Sequence, residues 1–129
     1  MPKDVKILLV DDQVDFVVTF SFWMKAKGFQ VTTASDGPAA LDVLKKDAVD
    51  VVFVDLKMPG MNGIELITKI RESNKTIPVI ILTAYTEDKT LQGNEHLNIS
   101  GFFSKLRGFE GLDRAVNALL HRVERTESN

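Results

Sequence analysis

Residues 51–63, with the sequence VVFVDLKMPGMNG, decide the fold of this chain. The continuous apolar run Val51–Val54 is typical of a strand that is buried on both faces of a parallel sheet. The run ends on Asp55, and the residues after it are dense in turn formers such as Pro59 and Gly60. A helical pattern follows. The stretch therefore predicts a strand, a carboxylate at its end, and a loop that leads into a helix.

Three other apolar runs also end on polar residues, and the chemical type of the residue varies. They are Ile7–Val10 before Asp11 and Asp12, Val79–Leu82 before Thr83, and Phe102–Phe103 before Ser104 and Lys105. Ligands of an open parallel sheet bind beyond the carboxyl ends of its strands. We therefore expect three carboxylates, a hydroxyl and an ammonium group to meet at one edge of the sheet.

Strands and amphipathic helices alternate five times, which predicts an α/β fold built as a three-layer sandwich. The first predicted helix, residues 14–27, ends at Gly28, and the polar strand Gln30–Ala34 suits a sheet edge. The second predicted helix starts at Asp36-Gly37-Pro38, with proline in the first position, and the third follows the loop 56–63. The fourth falls within residues 87–100, and the fifth runs from about Glu110 to Arg125. We assign residues 1–125 to one domain and residues 126–129 to a tail or the start of a linker.

The composition is that of one soluble globular domain, with 129 residues, 44% hydrophobic and 26% charged. The net charge of −2 gives no general attraction to nucleic acid or to an anionic membrane. The chain has no cysteine, which excludes disulfides, thiolate zinc sites and cysteine nucleophiles. Because the sequence has neither a membrane span nor a signal peptide, we expect a cytoplasmic protein.

The polar residues at the strand ends suit phosphoryl transfer. Adjacent carboxylates at Asp11 and Asp12 favour Mg²⁺, and the carboxylate of Asp55 can act as a nucleophile that forms an acyl phosphate. Thr83 offers a hydroxyl donor and Lys105 a positive charge, and both stabilise the oxygens of a transferring phosphoryl group. Each residue alone is more often a helix cap or a solvated surface group. Together, at the ends of four strands, they indicate one chemical site.

The chain resembles the receiver domain of response regulators, the phosphoacceptor module of two-component signalling, from about Val5 to Val123. The resemblance rests on residues 7–12 (ILLVDD), 36–37 (DG), 54–63 (VDLKMPGMNG), 82–84 (LTA) and 101–105 (GFFSK). It implies a flavodoxin-like sheet of five parallel strands in the order 2-1-3-4-5, as in chemotaxis members of the family, with five helices. It also implies a phosphorelay function with slow autodephosphorylation rather than enzymatic turnover.

The resemblance implies how the acidic residues divide the chemistry. Asp55 is the expected phosphoacceptor. Asp12, Asp55 and the backbone carbonyl of Lys57 are expected to bind Mg²⁺ directly, and Asp11 through water. Three crowded carboxylates repel one another, so a divalent cation would relieve that repulsion.

The resemblance implies roles for further positions. Lys105 pairs with the phosphoryl group, or with the acceptor carboxylate before phosphorylation, and Thr83 swings in to bond a phosphoryl oxygen. Phe102 lies where receivers keep an aromatic side chain that changes rotamer with that threonine. Lys57 and Tyr85, two residues beyond the acceptor and the threonine, tune the access of water to the acyl phosphate.

The implied donor is a histidine kinase or a phosphotransfer protein. An output domain or a second copy of the chain is expected on the face formed by the fourth helix, fifth strand and fifth helix. Direct binding to nucleic acid and contact with a membrane are not expected. His96 and His121 are predicted to be surface residues, so no histidine is placed to be a phosphodonor.

The chain departs from the family pattern in two places. Leu106 stands where receivers usually have proline, often with a cis bond. A cis bond without proline costs about 2.5–4 kcal/mol, so we expect a trans Lys105–Leu106 peptide and an unusual path for the loop Leu106–Gly111. The predicted fourth helix contains Gly93 and Asn94 and few apolar anchors, which predicts a short or mobile element. That element is either a sensitive switch or the result of simple sequence drift.

The first helix has more apolar side chains than one face can bury, among them Phe16, Phe20, Phe22, Trp23 and Met24. Single exposed apolar residues are common, whereas a group of them can form a partner surface. Receivers dock their phosphodonor next to this helix. We assign Phe20 and Met24 to the core and Phe16 or Trp23 to a partner surface.

Other functions remain open at the level of sequence. A phosphatase of the haloacid-dehalogenase kind needs a second Asp two residues after its nucleophile, and Lys57 occupies that position. A degenerate receiver that acts only as a protein-interaction module is favoured by Leu106 and the weak fourth helix, but the complete set of site residues argues against it. A flavin-binding protein is disfavoured because the loop after the first strand is acidic.

Overall fold

The computed structural model describes residues 4–84 and 93–127, with side chains described up to residue 121. In this part of the chain the strands are β1 (Lys6–Val10), β2 (Gln30–Ala34), β3 (Val51–Asp55), β4 (Val79–Thr83) and β5 (Gly101–Ser104). The α-helices are α1 (Val14–Ala26), α2 (Gly37–Lys46), α3 (Gly63–Ser73) and α4 (Leu112–Glu127), and a 3₁₀-helix spans Glu95–Leu97. No helix within the described ranges is long and apolar enough to cross a membrane.

The five strands form one parallel sheet in the order β2-β1-β3-β4-β5, which confirms the predicted order. The polar strand β2 lies at an edge, as its sequence predicts. The register aligns the carboxyl ends of the strands: Val10 pairs with Val54, Asp55 with Leu82, and Thr83 with Ser104. The residues that follow these ends therefore meet at one edge.

Alternating side chains of the buried strands build a core on each face of the sheet. On one face, Leu8, Val52 and Ile81 pack with α2 and α3. On the other, Leu9, Phe53 and Leu82 pack with α1 and α4. Since β3 and β4 are buried along their whole length, the continuous apolar runs do mark strands that are covered on both faces.

Helix starts follow local sequence signals. The side chain of Asp36 accepts a hydrogen bond from the backbone N–H of Ala39 at 2.8 Å, which caps α2, and Pro38 takes the second helical position rather than the predicted first. Asn62 and Glu65 form a reciprocal capping box at the start of α3. The entry into α3, directly after the acceptor loop, is thus fixed by local hydrogen bonds.

The predicted fourth helix lies partly outside the described residues, which resume at Gly93. Between 93 and 100 the chain forms only the 3₁₀-helix, because Gly93 (φ +83°) and Asn98 (φ +54°) have left-handed backbone conformations that an α-helix excludes. The described part of this segment thus contains only a 3-residue 3₁₀-helix, and the prediction for residues 87–92 lies outside the described residues. The predicted fifth helix is α4, which extends to Glu127 rather than Arg125.

The exposed apolar side chains of α1 differ from the prediction. Phe20 and Met24 are fully buried, as expected, but Phe16 and Trp23 are partly buried and pack against the core. The exposed residues are instead Val14, Val18 and Phe22, which are 71%, 61% and 78% exposed. Their spacing of four places them on one side of α1, and we call this group the α1 stripe.

Candidate functional site

The three predicted carboxylates meet at the carboxyl edge of the sheet. Asp11 and Asp12 follow β1, and Asp55 is the last residue of the neighbouring strand β3. Each can place one carboxylate oxygen so that the three oxygens lie within 4.8 Å of one another. Asp11 and Asp55 are buried and Asp12 is exposed, so the cluster opens to solvent on one side.

The side chain of Lys105 lies over this cluster. Its Nζ atom is 2.7 Å from Asp11 Oδ2 and 3.5 Å from Asp55 Oδ2, and the lysine side chain is only 9% exposed. Nζ also donates a hydrogen bond to Gln13 Oε1 and lies 4.8 Å from the ring centroid of Phe16. The ammonium is therefore held by two carboxylates, one amide and one aromatic ring.

Gln13 and Phe16 are site residues that the sequence analysis missed. Gln13 is the N-cap residue of α1, yet its side chain makes no capping hydrogen bond. An N-cap position without Ser, Thr, Asp or Asn is a weak signal that the side chain is used elsewhere. Phe16 was wrongly assigned to an exposed surface because the contact with Lys105 joins parts of the chain that are distant in sequence.

One carboxylate oxygen in the cluster has no hydrogen-bond donor. Asp11 Oδ1 accepts a hydrogen bond from the backbone N–H of Gln13 at 2.9 Å. Asp11 Oδ2 is buried and, within the described residues, accepts no hydrogen bond, because Lys105 Nζ approaches it outside hydrogen-bond angles. A buried anionic oxygen in this state favours a cation.

The electrostatics of the cluster also favour a cation. Burial, and after it the neighbouring charge of Asp11, raise the pKa of Asp55 from 3.8 to about 6. Lys105 and the backbone N–H of Lys57, which is 3.4 Å from Asp55 Oδ1, act in the opposite direction. Oxygen-only ligands around a crowded negative charge fit Mg²⁺ rather than a softer metal.

Thr83 lies on β4, the strand next to that of Asp55, and Phe102 lies one strand further out on β5. Thr83 ends β4 and is buried, and its carbonyl accepts a hydrogen bond from the backbone N–H of Lys105 at 2.7 Å. Phe102 on β5 is 43% exposed. Tyr85 lies outside the described residues. Thr83 and Lys105 are therefore connected through the backbone on the β5 side of Asp55.

Gly63 closes the loop that carries Asp55, and its role was also not predicted from the sequence. A Cβ atom at this position would lie 2.6 Å from the carbonyl oxygen of Asp55 and 2.9 Å from the Cα of Leu56. The Gly63 N–H donates to the carbonyl of Leu56 at 3.0 Å. Only glycine lets the loop return this closely to the strand, so Gly63 helps to fix the backbone of Asp55.

Leu106 does not displace Lys105. The described chain has no cis peptide bond, which confirms the predicted trans Lys105–Leu106 peptide. The Leu106 side chain is 80% exposed, and its N–H donates to Ser104 Oγ at 3.2 Å. His96 and His121 are exposed, as predicted.

Comparisons with known proteins agree with this site. The family model described as "Response regulator receiver domain" matches residues 7–117. Sporulation initiation phosphotransferase F of Bacillus subtilis is 35% identical over 115 residues, which are 89% of this chain and 93% of that protein. The sensor histidine kinase RcsC of Salmonella typhi is 32% identical over 125 residues, which are 97% of this chain but 13% of the kinase.

Solved structures agree on the fold. Chemotaxis protein CheY4 of Vibrio cholerae has a TM-score of 0.84 and 28% identity, with 91% of this chain and 99% of that chain covered. The response regulator TrrA of Thermotoga maritima, in complex with Mg²⁺-BeF, has a TM-score of 0.79 and 28% identity, with 89% and 98% covered.

The fold and the acidic cluster together define a phosphoacceptor signalling module. This chain belongs to the response regulator receiver domain family of two-component phosphorelays. It is a signalling domain rather than a classical enzyme. Receiver domains work with histidine kinases and phosphotransferases.

Proposed function

We propose that this receiver domain accepts a phosphoryl group on Asp55, with Mg²⁺ as cofactor, from a histidine kinase, a phosphotransfer protein or a small phosphodonor. The observation that carries this proposal is the position of Asp55. It is a buried carboxylate at the carboxyl end of the central strand β3, with Asp11 and Asp12 on one side and the Lys105 ammonium above it. A nucleophile and the positive charge that its product needs are thus already adjacent.

The phosphoryl transfer needs no reactant other than the phosphodonor. A carboxylate oxygen of Asp55 attacks the phosphorus of a phosphohistidine, an O–P bond forms and the P–N bond breaks. The electron pair of that bond stays on the imidazole nitrogen of the donor. The reaction is mostly a matter of positioning and charge stabilisation, which suits a site made of fixed charges.

Asp12, Asp55 and the backbone carbonyl of Lys57 would hold the metal ion directly, and Asp11 would hold it through water. When bound, Mg²⁺ neutralises negative charge on the phosphoryl oxygens. The crowded carboxylates support this assignment, as does Asp11 Oδ2, which is ion-paired with Lys105 but accepts no hydrogen bond within the described residues. So does the Mg²⁺-BeF complex of the related regulator TrrA.

The same proposal assigns the remaining predicted residues. Lys105 and Thr83 would contact the phosphoryl oxygens, and the new dianion would shift the population towards a state in which Thr83 and Phe102 rearrange. The face that includes β5 and α4 would then change its affinity for an output domain or a second copy. Lys57 and Tyr85 would tune the access of water.

We further propose that a protein donor docks on the α1 stripe, because Val14 begins the helix only two residues after Asp12. Phe22→Ser should slow transfer from the cognate kinase at least ~10-fold, since a large exposed aromatic residue is a typical interface anchor. Transfer from acetyl phosphate to the same variant should not change, which makes the small donor the internal control. An equal loss with both donors would contradict docking on the stripe.

The primary test is the intact mass of the protein after incubation with acetyl phosphate or phosphoramidate. Wild type and Asp42→Asn, a control at an exposed aspartate, should each gain one phosphoryl group only when Mg²⁺ is present. Asp55→Asn should gain none. If wild type gains no phosphoryl group and Mg²⁺ with beryllofluoride leaves the fluorescence of Trp23 unchanged, the proposal is wrong. The domain would then be a protein-interaction module only.

A further inference from the structure

We infer that Phe109 and Phe16 are positioning residues for Lys105, and that their aromatic contacts fix the loop that carries this lysine over the acidic cluster. The inference rests on the proposed role of Lys105 at the phosphoryl group. Phe16 on α1 and Phe109 in the β5–α4 loop would thus help the chemistry of the site by keeping the lysine in position.

The loop after Lys105 has little else to hold it. Leu106, Arg107, Gly108 and Glu110 are all exposed. The loop contains no proline to fix a φ angle, whereas it has Gly108 and Gly111, and Gly111 has a φ of +84°. The backbone hydrogen bonds found in the described loop are local: Leu106 N–H donates to Ser104 Oγ and Arg107 N–H to the Ser104 carbonyl, each at 3.2 Å, and Leu112 N–H donates to the Phe109 carbonyl at 2.9 Å. Side-chain contacts therefore have to anchor the loop against the rest of the fold.

Phe109 is that anchor. Its ring centroid lies 5.9 Å from each of four other rings, those of Phe16, Phe20, Trp23 and Phe103. The ring stacks on Phe103 with an interplanar angle of 11° and meets Phe20 nearly edge-on at 85°. Both arrangements are favourable for aromatic pairs. The loop is thus tied to α1 and to β5 through one side chain.

Phe16 connects this anchor to the lysine. The same ring that contacts Phe109 lies 4.8 Å from Lys105 Nζ. The ring face attracts a cation, and more strongly when water is excluded, as it is for a lysine side chain that is 9% exposed. Lys105 is therefore bounded by Phe16 and Gln13 on the α1 side and by Asp11 and Asp55 on the other.

The test compares three buried or partly buried phenylalanines with the same change: Phe109→Leu, Phe16→Leu and Phe29→Leu. Phe29 is buried in the same core, and among the described residues its ring neither pairs with Phe109 nor lies under Lys105, so it controls for lost core packing. The first measurement is acetylation of each lysine by an N-hydroxysuccinimide ester in the Mg²⁺-free protein, followed by peptide mass mapping. It needs no phosphorylation.

In wild type and Phe29→Leu, Lys105 should react slowly compared with the exposed Lys57. In Phe109→Leu and Phe16→Leu its labelling should rise several-fold. The second measurement is the rate of phosphorylation by acetyl phosphate at saturating Mg²⁺. Misplacing a group by about 1 Å can cost on the order of 100-fold, and the remaining contacts of Lys105 lead us to expect about 10-fold in both variants.

Conservative variants separate positioning from packing. Phe109→Trp and Phe16→Tyr keep an aromatic ring and should restore both the protection of Lys105 and the phosphorylation rate. If Phe109→Leu does not fold, Phe16→Leu still carries the test, because leucine keeps most of the buried volume. Labelling of Lys105 at the wild-type rate in the folded leucine variants would overturn the inference, whether or not Asp55 is phosphorylated. A wild type that is protected at Lys105 but takes up no phosphoryl group would overturn the proposed function instead.

Discussion

Two buried cations, Lys105 and Arg71, lie near opposite ends of the sheet and are neutralised in different ways. Lys105 faces the carboxylates of Asp11 and Asp55. Arg71 faces backbone carbonyls only: Nε donates to Leu97 at 2.7 Å, Nη1 to Asn74 at 3.1 Å and Nη2 to Asn98 at 3.0 Å. Burial lowers the pKa of Arg71, and no ion pair of Arg71 is found among the described residues.

The difference shows that one buried cation stabilises the fold and the other serves the candidate site. The guanidinium of Arg71 is a rigid fork whose three bonds tie the end of α3 to the segment before β5. The ammonium of Lys105 is a point charge among anionic groups, and in the proposed function these groups would also bind a metal ion, while the ammonium would contact the phosphoryl group.

The largest expected effect is at Arg71. Arg71→Leu should lower the free energy of unfolding by about 3 kcal/mol, because three hydrogen bonds are lost, one of them buried and two partly buried. Urea denaturation measures this, with Lys69→Leu on the same helix as a control that should change stability by less than about 0.5 kcal/mol. Addition of Mg²⁺ should not restore the loss. A loss as small as that of the control would mean that the carbonyls find other donors.

The second effect is at Lys105. Lys105→Met should slow phosphorylation by acetyl phosphate about 100-fold, the usual cost of losing one donor to a developing charge. Without Mg²⁺ it should also lose about 2 kcal/mol of stability, because Asp11 and Asp55 are left unpaired. Mg²⁺ should restore this stability, unlike that of the Arg71 variant.

Lys46→Met is the matched control for Lys105→Met, since Lys46 pairs with Asp42 on an exposed helix surface. Its phosphorylation rate and its stability should match those of wild type. If Mg²⁺ fails to stabilise Lys105→Met, the proposal that a metal ion can replace the lysine charge at the acidic cluster is wrong. Lys105 would then resemble Arg71, whose loss Mg²⁺ does not offset.

The smallest effect is a dependence of stability on pH at Asp55. Its pKa is about 6 in the folded protein and 3.8 in the reference state, so the folded protein binds this proton more tightly. The contribution of Asp55 to stability is therefore full below pH 3.8 and is lost as the pH rises through 6. Relative to Asp55→Asn, Mg²⁺-free wild type should lose about 2 kcal/mol between pH 4 and pH 7.

The measurement is the free energy of unfolding of both proteins at several pH values. The Arg71→Leu variant should follow the wild-type pH profile, because Arg71 lies away from the acidic cluster. A constant difference between wild type and Asp55→Asn across this range would contradict the raised pKa.

The strand ends were predictable because they obey local rules. A continuous apolar run followed by a carboxylate predicts both a buried strand and a residue at the sheet edge, and this placed Asp11, Asp55 and Thr83 correctly. The contacts of Gln13 and Phe16 with Lys105 were not predictable, since Lys105 and Gln13 are separated by 92 positions. The buried Arg71 was missed for the same reason, because its partners at Leu97 and Asn98 come from a distant segment.

The surface of α1 shows where sequence patterns mislead. Eight apolar residues larger than alanine crowd this helix, and their order alone does not say which of them the core accepts. The core accepts Phe16 and Trp23 because Phe109, a loop residue far along the chain, packs against both. Val14, Val18 and Phe22 remain exposed on the other side of the helix.

The sequence by itself determined the order of strands and helices, the edge at which the charged residues meet, and the receiver chemistry that they indicate. The first two follow from periodicity and from residue types at strand ends, which are local properties of the chain, and the receiver chemistry follows from the resemblance of those motifs to the receiver family. The tertiary structure alone decided which cation faces carboxylates and which faces carbonyls, and which aromatic rings hold Lys105 in place. Those depend on contacts between distant segments, and only the folded chain brings such segments together.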